Sequence, residues 1–227
     1  KIALGATLVT TLSDKDINAS YADIRVYEGA LTEDEITSEY GLTYTDFLTT
    51  SYDFENGLTD SVRGYDGTFT GTASVGEVEG RGNVLILDGN VNGNNVSANR
   101  SSMRMPSKVI HGHNNITVMM DLYVDGATGN YGRIFEFSQS SSASWMVGTK
   151  WGSSTVLRHS YSNGVSSAMQ GKAFFDEWVH FAVTIDGKTA KVYVNGEILC
   201  QSDDFDYKNS LFWAGSSLMS LGQSTRY

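Results

Sequence analysis

The chain has 227 residues, 40% of them hydrophobic, with 24 glycines, one proline and one cysteine. That is enough apolar chain for a sizeable core without staples, and the lone Cys200 excludes an intrachain disulfide. A formal net charge of −10 argues against nucleic acid and against an anionic membrane surface, since both demand basic patches, and no apolar run approaches the ~18 residues that span a bilayer.

In chain order, the first regular element with a mechanism is a helix. Leu31 to Gly41 carries a capping box, with Thr32 as N-cap and Glu35 three residues later. Acids fill the first turn, where the helix dipole favours them, and Gly41 supplies the stop. Leu31, Ile36 and Tyr40 are its packing face. From Ser51 onward the pattern is strand after short strand. Tyr52-Asp53-Phe54-Glu55 leads into Asn56-Gly57, and Val84-Leu85-Ile86-Leu87 into Asp88-Gly89. Ile116 to Val124 alternates less cleanly before Asp125-Gly126. Arg133 to Phe137 and Ser144 to Val147 follow, with polar Ser138 to Ser144 read as a loop tip.

The clearest signal is Trp178 to Glu197. Val179, Phe181, Val183 and Ile185 share one face, and Ala190, Val192 and Val194 share one face across Asp186-Gly187-Lys188. Strict alternation on both sides of an Asp-Gly turn predicts a β-hairpin. Asn195-Gly196 then opens a second turn into Glu197-Ile198-Leu199-Cys200, where Cys200 is read as a small core residue. Turn signals at this density, with one helix only, predict an all-β chain folded as an antiparallel β-sandwich or jelly roll.

Several segments resemble laminin-G-like, concanavalin-A-like jelly-roll domains of the bacterial extracellular type. The hairpin carries their "W-H-x-A-x-T-x-D-G … Y-x-N-G" pattern. Tyr52 to Gly57, with Asp60-Ser61 and Asp66-Gly67-Thr68, resembles their opening, and Gly80 to Gly89 a following strand. Tyr21-Ala22-Asp23-Ile24-Arg25-Val26-Tyr27 and the helix after it resemble their closing strand and helix. Here that closing element comes first. Moreover, Ile2-Ala3-Leu4-Gly5-Ala6-Thr7 looks like a second copy of Met219-Ser220-Leu221-Gly222-Gln223-Ser224, the element that normally feeds the closing strand. Two readings stand: residues 1–42 are the tail of a preceding tandem repeat, or they close a permuted sandwich whose main body is 43–227. The second is favoured, because a body without its closing strand bares a long edge, and the two parts then form one structural domain.

Catalysis finds no support in the residues. Related glycanases align paired acids on one strand as E-x-D-x-x-E, and no such strand exists here; Glu136 and Asp121 would have to converge in a cleft to revive it. His111 and His113 have metal-pair spacing without a third ligand nearby, and Asp203, Asp204 and Asp206 read as a solvated turn. The resemblance implies structural Ca2+, with Asp53, Glu55, Asp60 and Asp23 as its oxygen donors. A sugar needs exposed aromatic platforms beside polar groups. Trp151, Trp145 and Trp213 lie in or beside Ser/Gly-rich segments, with Tyr161, Arg158 and Tyr131 near them; Trp178 is set aside because it matches a core position of the family.

The expected function is a non-catalytic carbohydrate-binding module of an extracellular or cell-surface multidomain protein, with a polysaccharide or glycan as partner. The alternative is a structural or adhesive repeat module that binds a surface protein or spaces neighbouring repeats. No nucleic acid partner and no membrane insertion are expected.

Overall fold

A computed structural model of the chain describes residues 2–4, 17–38, 48–88, 101–110, 113, 115–127, 132–140, 143–149, 156–161, 168–203 and 219–221. Among these the strands are β1 (Ile2–Leu4), β2 (Asn18–Glu28), β3 (Leu48–Tyr52), β4 (Thr68–Thr70), β5 (Ser74–Val78), β6 (Gly82–Asp88), β7 (Ser102–Met105) and β8 (Ile116–Val124). They continue with β9 (Gly132–Ser140), β10 (Ala143–Thr149), β11 (Val156–Tyr161), β12 (Ala168–Lys172), β13 (Trp178–Asp186), β14 (Thr189–Val194), β15 (Glu197–Ser202) and β16 (Met219–Leu221). One helix, α1, spans Glu33–Ser38.

The strands form two eight-stranded antiparallel sheets. The first runs β1-β7-β16-β9-β10-β11-β12, with β4 on β7 and β1 paired also with β9; the second runs β15-β14-β13-β8-β2-β6-β5, with β3 on β2. Phe135, Phe137 and Met103 of the first sheet share one apolar core with Phe181, Val183, Leu85 and Met120 of the second. Burying each such side chain contributes about 1.5–3 kcal/mol. This is the antiparallel sandwich with one short helix that the turn density predicts.

The predicted hairpin forms as read. Val179, Phe181, Val183 and Ile185 all enter the core, and Asp186 pairs with Thr189 across Gly187, whose φ of 56° the tight turn requires. Asn195 (φ 53°) and Gly196 (φ 83°) make the second turn. Cys200 packs half-buried against the core, and burial pushes its thiol up to about 11. It is therefore a thiol at neutral pH, with no thiolate to act as nucleophile.

The strand that comes early in the chain sits deep in the second sheet. β2 pairs along one edge with β8; its other edge is shared, first by β6 (Asn18↔Asp88 to Tyr21↔Leu85), then by β3 (Ile24↔Tyr52 to Tyr27↔Leu48). Ile17, Ala19, Tyr21, Ile24 and Val26 all lie in the core. Tyr21 Oη donates to the Ile134 carbonyl at 3.1 Å, joining the sheets through the interior, and burial pushes its phenol well above the usual tyrosine range. The strand changes register at Asp23 (φ 49°), between Ala22 and Arg25.

Helix α1 covers the other side of the second sheet. Leu31 and Ile36 form a satellite cluster with Met119, Ala182 and Tyr193. The capping box is present, with Thr32 N bonded to Glu35 Oε2 at 2.7 Å and Glu35 N to Thr32 Oγ1 at 3.2 Å. Thr117 Oγ1 accepts from Leu31 N and donates to the Gly29 carbonyl. This explains the blurred alternation of Ile116 to Val124: Thr117 and Met119 are buried beneath the helix segment, so both faces of β8 are dry there. Tyr40 lies outside the described residues.

Two readings are corrected. Ser138 to Ser144 is not loop throughout: β9 continues to Ser140, which pairs with Ala143 of β10, and residues 141–142 lie outside the described residues. Trp178 is not a core residue; it is only partly buried, at the outer face of the second sheet.

Candidate functional site

The sugar-platform candidates fall on the first sheet or beyond the described residues. Register places Trp145 on β10 opposite Tyr161 of β11, and opposite Phe137 of β9 on its other side. Arg158 on β11 stands between Gly148 and Gln170. The fold thus brings Trp145, Tyr161 and Arg158 onto two adjacent strands. Trp151, Trp213 and Tyr131 lie outside the described residues.

The four acids proposed for calcium have different employments. Asp60 is buried, and its carboxylate organises the turn that follows β3: Oδ1 accepts from Ser51 N (2.9 Å) and Val62 N (3.1 Å), Oδ2 from Arg63 N (3.0 Å) and Tyr65 N (2.9 Å). Burial alone would raise its pKa, but these backbone donors outweigh it and hold the carboxyl below its ordinary value. Both oxygens of Asp23 face the Arg25 guanidinium, which is already a cation. Glu55 receives Asn83 N (3.2 Å) and Nδ2 (2.9 Å), and Asp53 receives Glu55 N (3.0 Å). As a set these four do not fit a calcium ion, because two of them are fully engaged by the chain itself. Asp53 and Glu55 remain exposed. Among the described residues no group of three or more His, Cys, Asp and Glu is arranged to hold a metal. His113 is buried with Nδ1 3.4 Å from Glu28 Oε1, and His111 lies outside the described residues.

A second aromatic and polar cluster escapes a reading that sets Trp178 aside. β8 and β13 align Asp121 with His180 and Tyr123 with Trp178, all out of phase with the core residues Leu122, Val179 and Phe181. His180 Nδ1 lies 3.2 Å from Asp121 Oδ1, and the Tyr123 and Trp178 rings are 5.8 Å apart. Arg81, from the turn between β5 and β6, reaches Asp121 Oδ2 at 2.8 Å and places its guanidinium carbon 4.9 Å from the Trp178 ring centroid. Small Ala22 of β2 pairs with Asp121. The signal was available: the alternation that puts Val179 and Phe181 inside puts Trp178 and His180 outside. Chemically, the cluster is a cation–π and ion-pair clamp over the sheet. Its indole face is covered by Arg81.

The two acids on which a glycanase reading would depend, Glu136 and Asp121, are placed on different sheets. Glu136, on β9 of the first sheet, is buried with Arg133 Nε 3.4 Å from its Oε2. Asp121 lies on β8 of the second sheet, engaged by Arg81 and His180. The core lies between the two sheets, so these two acids do not flank a common cleft.

A family model described as the Concanavalin A-like lectin/glucanases superfamily matches residues 97–227. The chain belongs to this superfamily. A similar solved structure is domain 4 of AbnA, a GH43 extracellular arabinanase from Geobacillus stearothermophilus, in complex with arabinotriose. It is 20% identical, the match covers 76% of this chain and 84% of that one, and the TM-score is 0.55. At that identity the likeness is one of fold. A search of the curated proteins finds no match. That superfamily's description covers lectins as well as glucanases.

Proposed function

We propose that the chain is a non-catalytic carbohydrate-binding module of an extracellular multidomain bacterial protein. The observation that carries this reading is the shared fold with an arabinanase domain whose structure holds arabinotriose. The lack of a shared cleft between Glu136 and Asp121 supports the non-catalytic half, because glycoside hydrolysis needs two carboxyls about 5–9.5 Å apart. Among the described residues no helix is long and apolar enough to cross a membrane.

The proposed ligand residues are Trp151, Trp145, Trp213, Tyr161, Arg158 and Tyr131, of which Trp145, Tyr161 and Arg158 fall on the adjacent strands β10 and β11. The Trp178 indole is a poorer platform, since the face a pyranose or furanose would stack on carries Arg81. A binding screen over arabino-oligosaccharides and a broad glycan set, with calcium or chelator, tests the reading. Saturable binding lost in Trp151→Ala and kept in Trp178→Ala supports it, and silence across the set refutes it. Chelator sensitivity would assign Asp53 and Glu55 a metal. A structural or adhesive repeat module is the second reading, favoured by the two copies of one strand, at 2–4 and 219–221.

A further inference from the structure

The first sheet contains one slot that the chain specifies twice. β7 has two edges, and β4 occupies one of them: Phe69 pairs with Met103. β9 likewise has β10 on one edge, with Trp145 paired to Phe137 and Met146 to Glu136. Between the remaining edges lies room for a single strand, since neighbours in a sheet are spaced about 4.8 Å apart. Both β1 and β16 are registered into that gap. Ile2 and Met219 each pair with Phe137, Ala3 and Ser220 each with Glu136, and Leu4 and Leu221 each with Met103. All these pairings are antiparallel. The two segments therefore carry the same address in the sheet, and the sequences flanking them agree: Ile-Ala-Leu-Gly-Ala-Thr against Met-Ser-Leu-Gly-Gln-Ser.

One molecule fills the slot once. The two segments cannot hold these pairings at the same time, and whichever is displaced keeps its strand-forming sequence but has no edge of its own. We propose that the gap between β7 and β9 is a strand-acceptor site for a second copy of this chain: β1 and β16 are interchangeable plugs, and the one excluded in one copy is the donor for the slot of another. Closure from within and closure from a neighbour form the same ladder, so effective concentration decides between them. Two isolated wild-type molecules trade one plug for an equal one and stay separate. Copies held side by side, or a copy whose slot is empty, are linked through the spare strand.

Proline separates the alternatives, because an inner strand with both edges paired does not admit it. In the full-length chain, Ala3→Pro and Ser220→Pro should each shift the unfolding midpoint by about 3 °C or less, since the other plug takes over, while the double variant should fall by about 8 °C or more. Equal effects of one single variant and the double would show that only one segment uses the slot and overturn the proposal; so would simple additivity. The second arm mixes the double variant with wild type and follows sedimentation. A 1:1 complex is expected with wild type, which brings a spare strand, and none with Ala3→Pro, which has none. Absence of the first complex, or presence of the second, overturns the proposal. Should the double variant not fold alone, refolding it with a synthetic peptide of residues 1–7 must restore the cooperative transition, and failure to do so counts against the proposal equally.

Discussion

The two sheets are closed by contrasting means. In the second sheet the decisive strand is β2: eleven residues long, bonded on both edges, with four core contributions (Ala19, Tyr21, Ile24 and Val26) and a hydroxyl bridge from Tyr21 to the opposite sheet. No other described segment has its register. In the first sheet the corresponding gap is three residues long and has two claimants. A long, kinked, amphipathic strand with a specific interior bond can occupy one place only. A three-residue strand defined by little more than a Leu-Gly motif can be written twice and used by either copy. Uniqueness in this sandwich scales with how much side-chain information a strand carries into the core.

The strongest way to break that comparison is to remove β2. A chain of residues 43–227 should be insoluble or molten, with exposed apolar surface and no cooperative transition. A folded, monomeric 43–227 would refute closure of the sandwich by residues 1–42 and the single-domain reading with it. Next in size, Asp60→Ala should destabilise the second-sheet edge by about 3 kcal/mol, because four backbone N–H groups lose a charged acceptor. Its pH dependence follows from the sign of the shift. The folded pKa lies below the unfolded value near ~3.9, so Asp60 stabilises the fold above that value and ceases to as pH falls through the folded pKa. Denaturant titrations from pH 6 down to pH 2 should show a shallower acid limb in Asp60→Asn than in wild type.

An effect of similar size and then smaller ones sharpen the picture inside the second sheet. Ile24→Ala should cost about 3 kcal/mol, near the upper range only if β2 cannot relax around the void. Tyr21→Phe keeps the ring and loses the interior bond, an expected loss of about 1 kcal/mol by the same measurement. Thr32→Ala removes the cap of α1 and should cost about 1 kcal/mol. Arg81→Ala is the smallest, about 0.5–1 kcal/mol, since the clamp on Trp178 and Asp121 is partly solvated. Raising the salt concentration should erase part of that difference.

Much of this was legible in residues alone, for identifiable reasons. The β13–β14 hairpin, its two turns and the capping box are local codes, in which a few neighbouring side chains determine the geometry. The repeated Leu-Gly element was visible as a likeness between distant segments, yet only strand pairing reveals that both claim one slot. The blurred pattern of β8 could not be resolved without the helix segment, where Ile36 of α1 and Leu31 just before it dry the strand's outer face. Trp178 was misplaced by relying on family likeness where the plain alternation already put it outside. Asp60 shows the opposite difficulty: a carboxylate in a turn reads equally as a metal donor or as an acceptor for backbone amides, and only the bond partners distinguish them. The platform residues on β10 and β11 were grouped from polar surroundings, and pairing brings Trp145 and Tyr161 opposite each other.

The half-buried thiol of Cys200 has a practical meaning for all of this. With its pKa pushed up to about 11, the single native cysteine is almost wholly protonated near pH 7 and slow toward maleimides and disulfide reagents. A cysteine introduced at an exposed position would therefore be the dominant labelling site in an otherwise native chain. A dye there could report which copy donates a strand, or when a glycan arrives, without first altering the core.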